Sequence, residues 1–419
     1  VKFNSGGVRQ WGTYYGGAAA ENANCVVTDV SGSVYLAGST STAVNIASGG
    51  FQNTCGGNSD AFLVKFDGNG NRLWATYYGG ALNDFGYSLA TDSLKNIYLA
   101  GNTKSTSGIA SGGFQNNYSG FNDAFLVKFD AAGNRIWATY YGGSLDDKAY
   151  SLATGFNGDI YMAGFTSSYS GISFGGFQNS QVGSFGGFDA FLVRFNSLGN
   201  RIWATYYGGT QIEEGLSVTT DIAGNIYLGG DSYSSNYISS NGFQNALSGD
   251  ENQFIATFDT SGNLFCATYY GQNEDENGCI AADNFGNIYL SGTTNSLAGI
   301  SSAGFQNSFG GDLSDAYLVK FFSCGNEIII PEVIIPELLV PNVITPNKDN
   351  LNDFFVINNL TSLYPENTLT IYNRWGNRIY EASNYQGSWS GSNHPAGVYF
   401  YILTLGDNKV KKGFIELIR

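Results

Sequence analysis

Apolar and aromatic positions recur along the first three quarters of the chain at intervals of 63 or 66 residues. The segment Trp-x-Thr-Tyr-Tyr-Gly-Gly opens at Trp11, Trp74, Trp137 and Trp203, and a degenerate copy opens at Cys266. Such a fixed period indicates a repeat architecture in which each period is one supersecondary unit.

Each period predicts four short strands, called A to D here. In the second period they are predicted at 87–92, 96–100, 124–129 and 135–141, where aromatic and β-branched residues alternate with Gly-, Asn- or Asp-containing turns. Both faces of strand C are apolar, which indicates a sheet covered on both sides. The pattern therefore predicts an all-β propeller built of four-stranded blades. One C–D turn position is always glycine, and we expect a positive φ there (Gly70, Gly133, Gly199 and Gly262).

The strand count predicts five blades over residues 1–322. Strands A, B and C occur five times, a D strand at 10–15 precedes the first blade, and the last blade ends at strand C, 316–321. We predict that the N-terminal strand docks beside this last strand and closes the ring, since closure removes two open edges. A larger ring is the alternative, because residues 1–3 resemble the end of another strand C. Closure would also make blades 1 and 5 neighbours and permit a Cys25–Cys279 disulfide.

The repeat stops after Phe322, and two further segments follow. Residues 323–340 are apolar and interrupted by prolines, so we predict an extended linker that packs against a domain. Residues 341–419 alternate apolar and polar positions and predict a small, Ig-like β-sandwich. The chain has no run of about 18 apolar residues such as a membrane-spanning helix requires.

Charge and composition argue against several classes of function. The chain has 34 acidic and 19 basic residues, a net charge of −15, which is unfavourable for binding nucleic acid or anionic membranes. The chain has one histidine and five cysteines and contains no C-x-x-C pair, which argues against a Cys/His zinc site. We find no Ser/His/Asp set, Cys/His set or phosphate-binding loop, and therefore expect no enzyme activity and no cofactor.

One series of acidic residues gives the candidate ligand-binding site. Each lies four residues before a recurring Ser or Cys in strand A, and the members are Glu21, Asp84, Asp147, Glu213 and Asp275. Because inner strands line a propeller channel, these carboxylates could form a ring that binds a ligand or Ca²⁺, or a pair could perform glycosidase acid–base chemistry. The structural alternative is that each carboxylate accepts backbone N–H bonds from its own D–A turn.

Two other repeated series are better explained by structure, and the loops offer a second place for function. Turn formation accounts for the acids that end strand A, which are Asp29, Asp92, Asp221 and Asp283. Blade packing accounts for the tryptophans, which are Trp11, Trp74, Trp137 and Trp203.

The B–C loops vary most between repeats, notably at 169–174 and 232–241. Variable Ser-, Asn- and Tyr-rich loops on a rigid scaffold commonly bind ligands.

The repeats resemble the SBBP repeats of secreted bacterial proteins. The resemblance rests on Asp-x-x-Gly-Asn-x-Tyr-x-x-Gly at 221–230, on Asp-Ala-Phe-Leu-Val-Lys-Phe opening at Asp123 and on Trp-Ala-Thr-Tyr-Tyr-Gly-Gly opening at Trp137. It implies a secreted or surface-located propeller and no defined activity.

Residues 341–419 resemble the gliding-motility-associated C-terminal domain, the type B sorting domain of type IX secretion in Bacteroidetes. The matching pieces are 345–353 (TPNKDNLND), 373–376 (NRWG) and 395–399 (PAGVY). The resemblance implies export across the outer membrane, a PorP/SprF-type outer-membrane partner, and an extracellular or cell-surface location. The leading hypothesis is thus an exported module that binds a glycan or protein. The alternatives are a carboxylate-dependent glycoside hydrolase and a structural spacer or shell protein.

Overall fold

The computed structural model describes residues 1–155, 157–183, 187–272, 276–283, 286–311, 313–322, 338, 340–347, 352–357, 359–406 and 409–419. The chain divides into two compact units, Val1–Ile328 and Ile329–Arg419. The predicted linker at 323–340 lies outside the described residues except for Leu338 and Val340.

The first unit begins with a two-stranded hairpin and continues with sheets whose strands follow chain order. The hairpin consists of β1 (Lys2–Phe3) and β2 (Arg9–Trp11). Among the described residues, four antiparallel sheets of four strands follow, and these are the predicted blades. Blade 1 is β3 (Glu21–Thr28), β4 (Val34–Thr40), β5 (Asp60–Phe66) and β6 (Arg72–Tyr78); blade 2 is β7 (Asp84–Thr91), β8 (Ile97–Thr103), β9 (Asp123–Phe129) and β10 (Arg135–Tyr141).

Two more complete blades and one three-stranded sheet complete the described part of this unit. Blade 3 is β11 (Asp147–Thr154), β12 (Ile160–Thr166), β13 (Asp189–Phe195) and β14 (Arg201–Tyr207); blade 4 is β15 (Glu213–Thr220), β16 (Ile226–Ser232), β17 (Asn252–Phe258) and β18 (Leu264–Tyr270); the last sheet is β19 (Glu276–Ala282), β20 (Ile288–Thr294) and β21 (Asp315–Phe321). Strand A starts earlier than predicted, at Asp84 in blade 2, because a bulge between Gly86 and Ser88 lets the polar start of β7 pair with the end of β8.

The core lies between neighbouring blades, as the two apolar faces of strand C predict. One cluster joins Leu63 of blade 1 to Phe125 and Val127 of blade 2, all of them fully buried. The A strands of successive blades lie side by side, since Thr91 Oγ1 donates to Thr28 O at 3.0 Å and Thr154 Oγ1 donates to Thr91 O at 3.0 Å. Strand A is therefore the inner strand, and burial between blades is the main favourable term for this unit.

A tryptophan in the D strand of each of blades 1 to 3 packs against the next blade. The Trp74 ring covers the C–D turn of blade 2, and its Nε1 donates to Ala131 O at 3.1 Å. Gly133 in that turn has φ +86°, and a β-carbon there would lie 2.9 Å from the indole. Trp137 with Gly199 and Trp203 with Gly262 repeat the arrangement. The predicted positive φ at the recurring glycines is confirmed, and the indole gives a second reason for glycine.

The predicted closure of the ring is wrong. Among the described strands, β2 pairs only with β1, and β21 pairs only with β20, so the two strands that closure requires are not paired with each other. Trp11 instead packs on blade 1, with Nε1 donating to Gly68 O at 3.0 Å and the indole against Gly70. The hairpin therefore contacts blade 1 as each blade contacts its successor. This arrangement agrees with the alternative interpretation of residues 1–3 as the end of a strand C.

The Cys25–Cys279 disulfide that closure would permit is not formed, since both cysteines are free. Cys25 Sγ accepts the Leu89 amide of blade 2 at 3.3 Å, and Cys279 Sγ lies 3.5 Å from Ser291 Oγ in its own sheet. Without closure, blades 1 and 5 are not joined at this position. Cys266, which stands where earlier repeats have tryptophan, is disulfide-bonded.

The second unit is built on one mixed sheet with the order β22-β26-β25-β23-β24, in which only β22 and β26 are parallel. Its elements are β22 (Val343–Ile344), α1 (Leu360–Leu363), β23 (Asn367–Tyr372), β24 (Arg378–Ser383), β25 (Gly397–Leu405) and β26 (Val410–Leu417). Among its described residues, no second sheet completes the predicted sandwich. Phe355, Leu360 and Trp389, from α1 and irregular segments, cover the inner face instead. No helix in the described parts of the chain is long and apolar enough to cross a membrane.

Candidate functional site

The predicted acidic series occupies the first residue of strand A and is mostly buried. Asp84 is fully buried; its Oδ2 accepts the Gly80 amide at 2.7 Å and Ser105 Oγ at 2.8 Å, and Thr103 donates to Oδ1. Burial raises the pKa of Asp84 to about 6, and the hydrogen bonds from Thr103, Gly80 and Ser105 limit the rise. The bond from the Gly80 amide is the one that the turn-capping alternative requires, and Thr103 and Ser105 add side-chain donors from the end of strand B and the loop after it.

Asp147 and Glu213 repeat this arrangement, and Glu21 differs in its exposure. Burial raises the pKa of Asp147 to about 7 and raises that of Glu213. Glu21 is partly exposed; although burial favours its neutral form, hydrogen bonds from Thr42, the Gly17 amide and Thr40 together lower its pKa. The series therefore does not present a uniform ring of carboxylates to solvent.

The fifth member of the series needs a correction. Asp275 lies outside the described residues. By strand register its place belongs to Glu276, which pairs with Thr294 as Asp84 pairs with Thr103. The other A strands contain a bulge between the strand start and the recurring Ser or Cys, and β19 lacks it. Cys279 is therefore three residues, not four, after the first residue of its strand, and counting back four residues from it misses the equivalent position.

Sequence reasoning missed a second set of buried carboxyls, the aspartates that open strand C. Asp60, Asp123 and Asp189 are fully buried, each beside an acid of the next blade. A β-carbon on Gly79 would lie 2.7 Å from both Asp60 Oδ1 and Asp84 Oδ2, so the two carboxyls meet at that glycine. The available signal was the first residue of the Asp-Ala-Phe-Leu-Val-Lys-Phe motif, which supported only the resemblance to SBBP repeats.

The acids that end strand A form turns, as predicted. Asp29 Oδ1 accepts the amides of Ser31 and Ser33 at 2.8 and 3.0 Å, and Tyr35 donates to Oδ2 at 2.9 Å. Blade 3 has Gly155 at this position, and there Arg194 forms an ion pair with Asp159. Within the described residues, no group of three or more His, Cys, Asp or Glu side chains is placed to hold a metal ion.

The B–C loops form a cleft at the junction of blades 2 and 3. We call it the Arg201 cleft; it has a volume of about 580 Å³ and is lined by Phe114, Gln115, Asn116, Asn117, Ser119, Gly142, Gly171 and Arg201. The Arg201 guanidinium lies 4.3 Å from the Phe114 ring centre and 5.1 Å from that of Phe174. Its Nη1 donates to Ile172 O at 2.9 Å. Phe174 is 56% and Phe114 39% exposed, so both rings remain accessible.

Among the described blade junctions, this is the only one at which the arginine packs against two aromatic rings. Arg135 at the junction of blades 1 and 2 stacks on Phe51 at 4.4 Å, but Ser111 holds the strand register that Phe174 holds in blade 3. Phe174 belongs to the loop 169–174 that the sequence singled out. The other loop, 232–241, is partly structural, because Ser232 donates to Glu213 Oε1 at 2.7 Å.

The outer face of the C-terminal sheet carries an exposed aromatic row. Register places Tyr372, Phe400 and Phe414 side by side on β23, β25 and β26, and Phe400 and Phe414 are each 48% exposed. They line a shallow depression of about 680 Å³ together with Arg374 and Lys412. This face, called the Phe400 face below, combines apolar area with positive charge.

Comparison with curated proteins finds two relatives of part of the repeat region. Regulatory protein FlaEY of Caulobacter vibrioides is 34% identical over 176 residues, which are 42% of this chain and 18% of that protein. An uncharacterized WD repeat-containing protein of Acanthamoeba polyphaga mimivirus is 26% identical over 191 residues, 39% of this chain and 14% of that protein. The chain thus spans less than a fifth of either relative.

Solved structures give matches of low similarity. A protein of unknown function from Dyadobacter fermentans covers 67% of this chain and 78% of its own, with 12% identity and a TM-score of 0.39. The extracellular domain of a hybrid two component system from B. thetaiotaomicron covers 95% of this chain and 44% of its own, with 13% identity and a TM-score of 0.31.

Two family models match the chain directly. The SBBP β-propeller repeat matches residues 73–108, which hold β6 to β8 and connect blades 1 and 2. The CHU_C type IX secretion signal domain matches residues 338–417, almost the whole second unit. The chain therefore contains an SBBP β-propeller repeat and, after it, a type IX secretion signal domain, and this signal directs it to the cell surface or the extracellular space.

Proposed function

We propose that this exported propeller binds a glycan through the Arg201 cleft. The observation that carries the proposal is the Arg201 guanidinium packed against the exposed rings of Phe114 and Phe174, at a cleft lined by amide and hydroxyl side chains. Volumes of roughly 300–1,000 Å³ are typical of small-ligand sites, and the cleft falls within that range.

The cleft matches the chemistry of a sugar ring. Phe114 lines the cleft and Phe174 lies beside it against Arg201, and both offer apolar ring faces to sugar C–H groups, as aromatic side chains do in many recognition sites. Gln115, Asn117 and Ser119 line the same cleft and offer donors and acceptors for hydroxyl groups. Arg201 is positioned in advance by its stacking and its backbone hydrogen bonds, so binding immobilises little side-chain freedom.

A glycoside hydrolase is less well supported by the carboxyls. Glycosidase chemistry needs two carboxyl groups that both reach the scissile bond. Asp84, Asp147 and Glu213 are fully buried and accept hydrogen bonds from their own D–A turns. A sugar would reach them only if those turns opened, and we therefore propose a binding protein with no catalytic carboxyl pair in this series.

The test is a glycan array probed with the full chain, followed by affinity measurement on any ligand found. Phe174→Ser gives the cleft the residue that blade 2 has at Ser111, and we expect at least a tenfold loss of affinity, about 1.4 kcal/mol. Phe51→Ala, at the other arginine–phenylalanine junction, is the matched control and should bind like the parent chain.

Two results would overturn the proposal. Absence of binding to every glycan would favour a protein ligand or a spacer role. Equal loss in Phe51→Ala and Phe174→Ser would show that these stacks act only on blade packing.

We further propose that the Phe400 face is where the secretion machinery is contacted, through a PorP/SprF-type outer-membrane partner. The match of this unit to a secretion signal domain implies that its surface is recognised, and this face holds aligned exposed aromatic side chains together with Arg374 and Lys412. Aromatic and arginine side chains are enriched in protein interfaces.

A further inference from the structure

Buried acidic side chains meet in pairs at three blade junctions. The pairs are Asp60 with Asp84, Asp123 with Asp147, and Asp189 with Glu213, and all six residues are fully buried. Each pair flanks one glycine: a β-carbon on Gly208 would lie 2.8 Å from both Asp189 Oδ1 and Glu213 Oε2. Two ionised carboxylates in such a place would repel one another without solvent screening.

The hydrogen bonds around the second and third pairs are incomplete. Asp189 Oδ2 accepts the Val182 amide at 3.2 Å and Gln178 Nε2 at 3.1 Å, whereas its buried Oδ1 has no donor within hydrogen-bond geometry among the described residues. The same holds for the buried Asp123 Oδ1, and the carboxyls of Asp189 and Asp123 gain only weaker interactions from the Gln181 side chain and the Gly120 amide, respectively. Asp60 differs, because its Oδ1 accepts the Gly57 amide at 3.0 Å.

Blade 4 has an asparagine where blades 2 and 3 have Asp123 and Asp189, and its hydrogen bonds show whether this position accepts or donates. Asn252 stands at the same place, and its Oδ1 accepts the Ser248 amide and Gln244 Nε2, as Asp123 Oδ2 accepts the Ser119 amide and Gln115 Nε2. Its Nδ2 therefore takes the place of the Asp Oδ1, and it donates to the carbonyl oxygens of Ser248, Glu251 and Gln272. The position is one for a donor, and a carboxyl group can donate only when it is protonated.

We propose that the Asp123–Asp147 and Asp189–Glu213 pairs each hold one proton near neutral pH, carried on the Oδ1 atom of Asp123 or Asp189. The propeller is then a proton-binding fold whose blade junctions weaken as the pH rises.

The direction of the pKa shifts agrees with this assignment. Burial raises the pKa of Asp123 to about 6 and that of Asp189 to about 8, and Glu213 contributes further to the rise at Asp189. The Arg201 guanidinium interacts with Tyr141, which in turn interacts with Asp147. The other described titratable groups that interact with the two pairs are phenols: Tyr118 and Tyr140 with Asp123, Tyr206 with Asp147 and Asp189, and Tyr207 and Tyr269 with Glu213. Ionisation of any of them adds negative charge, which favours retention of the proton.

The sign of the pH dependence follows from linkage. An aspartate in the unfolded chain titrates near pH 3.9, and the folded values are higher, so the folded state binds more protons between them. The stabilisation by protonation is complete below about pH 4 and is lost as the pH rises through about 6 to 8. Unfolding near pH 6 should therefore release protons.

The test compares thermal unfolding of the full chain between pH 5 and 9 with that of Asp123→Asn/Asp189→Asn. The parent melting temperature should fall by several degrees between pH 6 and 9, and the double variant should lose less than half of that amount. Asn252→Asp should steepen the fall, since it replaces a donor with an acid that must bind a proton. Asp67→Asn, in an exposed turn, is the control and should leave the alkaline slope unchanged.

A second measurement does not depend on unfolding. Infrared spectra of the native chain at pH 6.5 should show the C=O stretch of protonated carboxyl groups, and Asp189→Asn should weaken that band. A parent chain whose melting temperature does not change from pH 6 to 9, or an equal band in parent and variant, would overturn the proposal.

Discussion

At the scale of single residues, the blade junction depends on a contact between an indole and a glycine. Glycine is required at position 133 for two reasons. Its φ of +86° is one that L side chains rarely adopt, and the Trp74 ring occupies the space of a β-carbon. The sequence predicted the first reason from the turn position. It did not predict the second, because the ring comes from the preceding blade, 59 positions earlier in the chain.

Gly133→Ala should therefore destabilise the propeller by more than backbone strain alone. We expect a loss of about 2–4 kcal/mol, from a left-handed alanine and a clash with the indole. Gly32→Ala is the matched control, because φ is +78° and nothing lies within 4 Å of the added β-carbon, so about 1–2 kcal/mol is expected. Denaturant unfolding measures both, and equal losses would contradict the role of the Trp74 contact.

At the scale of elements, the N-terminal hairpin behaves as part of a blade. Trp11 contacts the C–D turn of blade 1 as Trp137 contacts that of blade 3, but Trp137 is buried and Trp11 is partly exposed. The hairpin is held by the Trp11 contacts, by Lys2 Nζ donating to Gly68 O at 3.1 Å and by one strand pair, whereas a full blade shares a core with its neighbours. We expect it to detach locally while the blades remain folded.

Replacing Trp11 and Trp137 one at a time should show whether the hairpin contributes less to the stability of the propeller than a full blade does. Trp137→Ala should cost about 3–5 kcal/mol of unfolding free energy, as large-to-small changes in a core do. Trp11→Ala should leave the main unfolding transition nearly unchanged and increase amide hydrogen exchange at residues 9–11. A similar stability loss in both variants would show that the hairpin is integral to the propeller core.

At the scale of the whole molecule, the two units differ in charge as well as in fold. Residues 341–419 carry seven Lys and Arg against six Asp and Glu, a net charge of +1, whereas the whole chain has −15. The acidic character therefore belongs to the propeller. The secretion signal domain keeps a nearly neutral surface with an aromatic and basic face, so the roles of ligand binding and export can be tested on separate units.

Export should depend on the Phe400 face without depending on the stability of its sheet. We expect Phe400→Ser/Phe414→Ser to reduce the exported fraction at least tenfold while the melting temperature changes little, since both rings are half exposed. Val410→Ser, equally exposed on β26, is the control. The measurement is the amount of full chain outside the cells relative to the periplasm, and parental export of the double variant would contradict the assignment.

The sequence by itself determined the repeat, the four strands per blade, the turn acids and the secretion signal, because each is written in local patterns of period, turn chemistry and motif. Tertiary structure decided the rest. Whether the N-terminal strand meets β21 or blade 1 depends on the packing of Trp11 on a distant turn, and which carboxyls are buried together depends on contacts between blades. Asp189 and Glu213 form a pair only because neighbouring blades pack, and pairwise burial leaves no signature in a single strand.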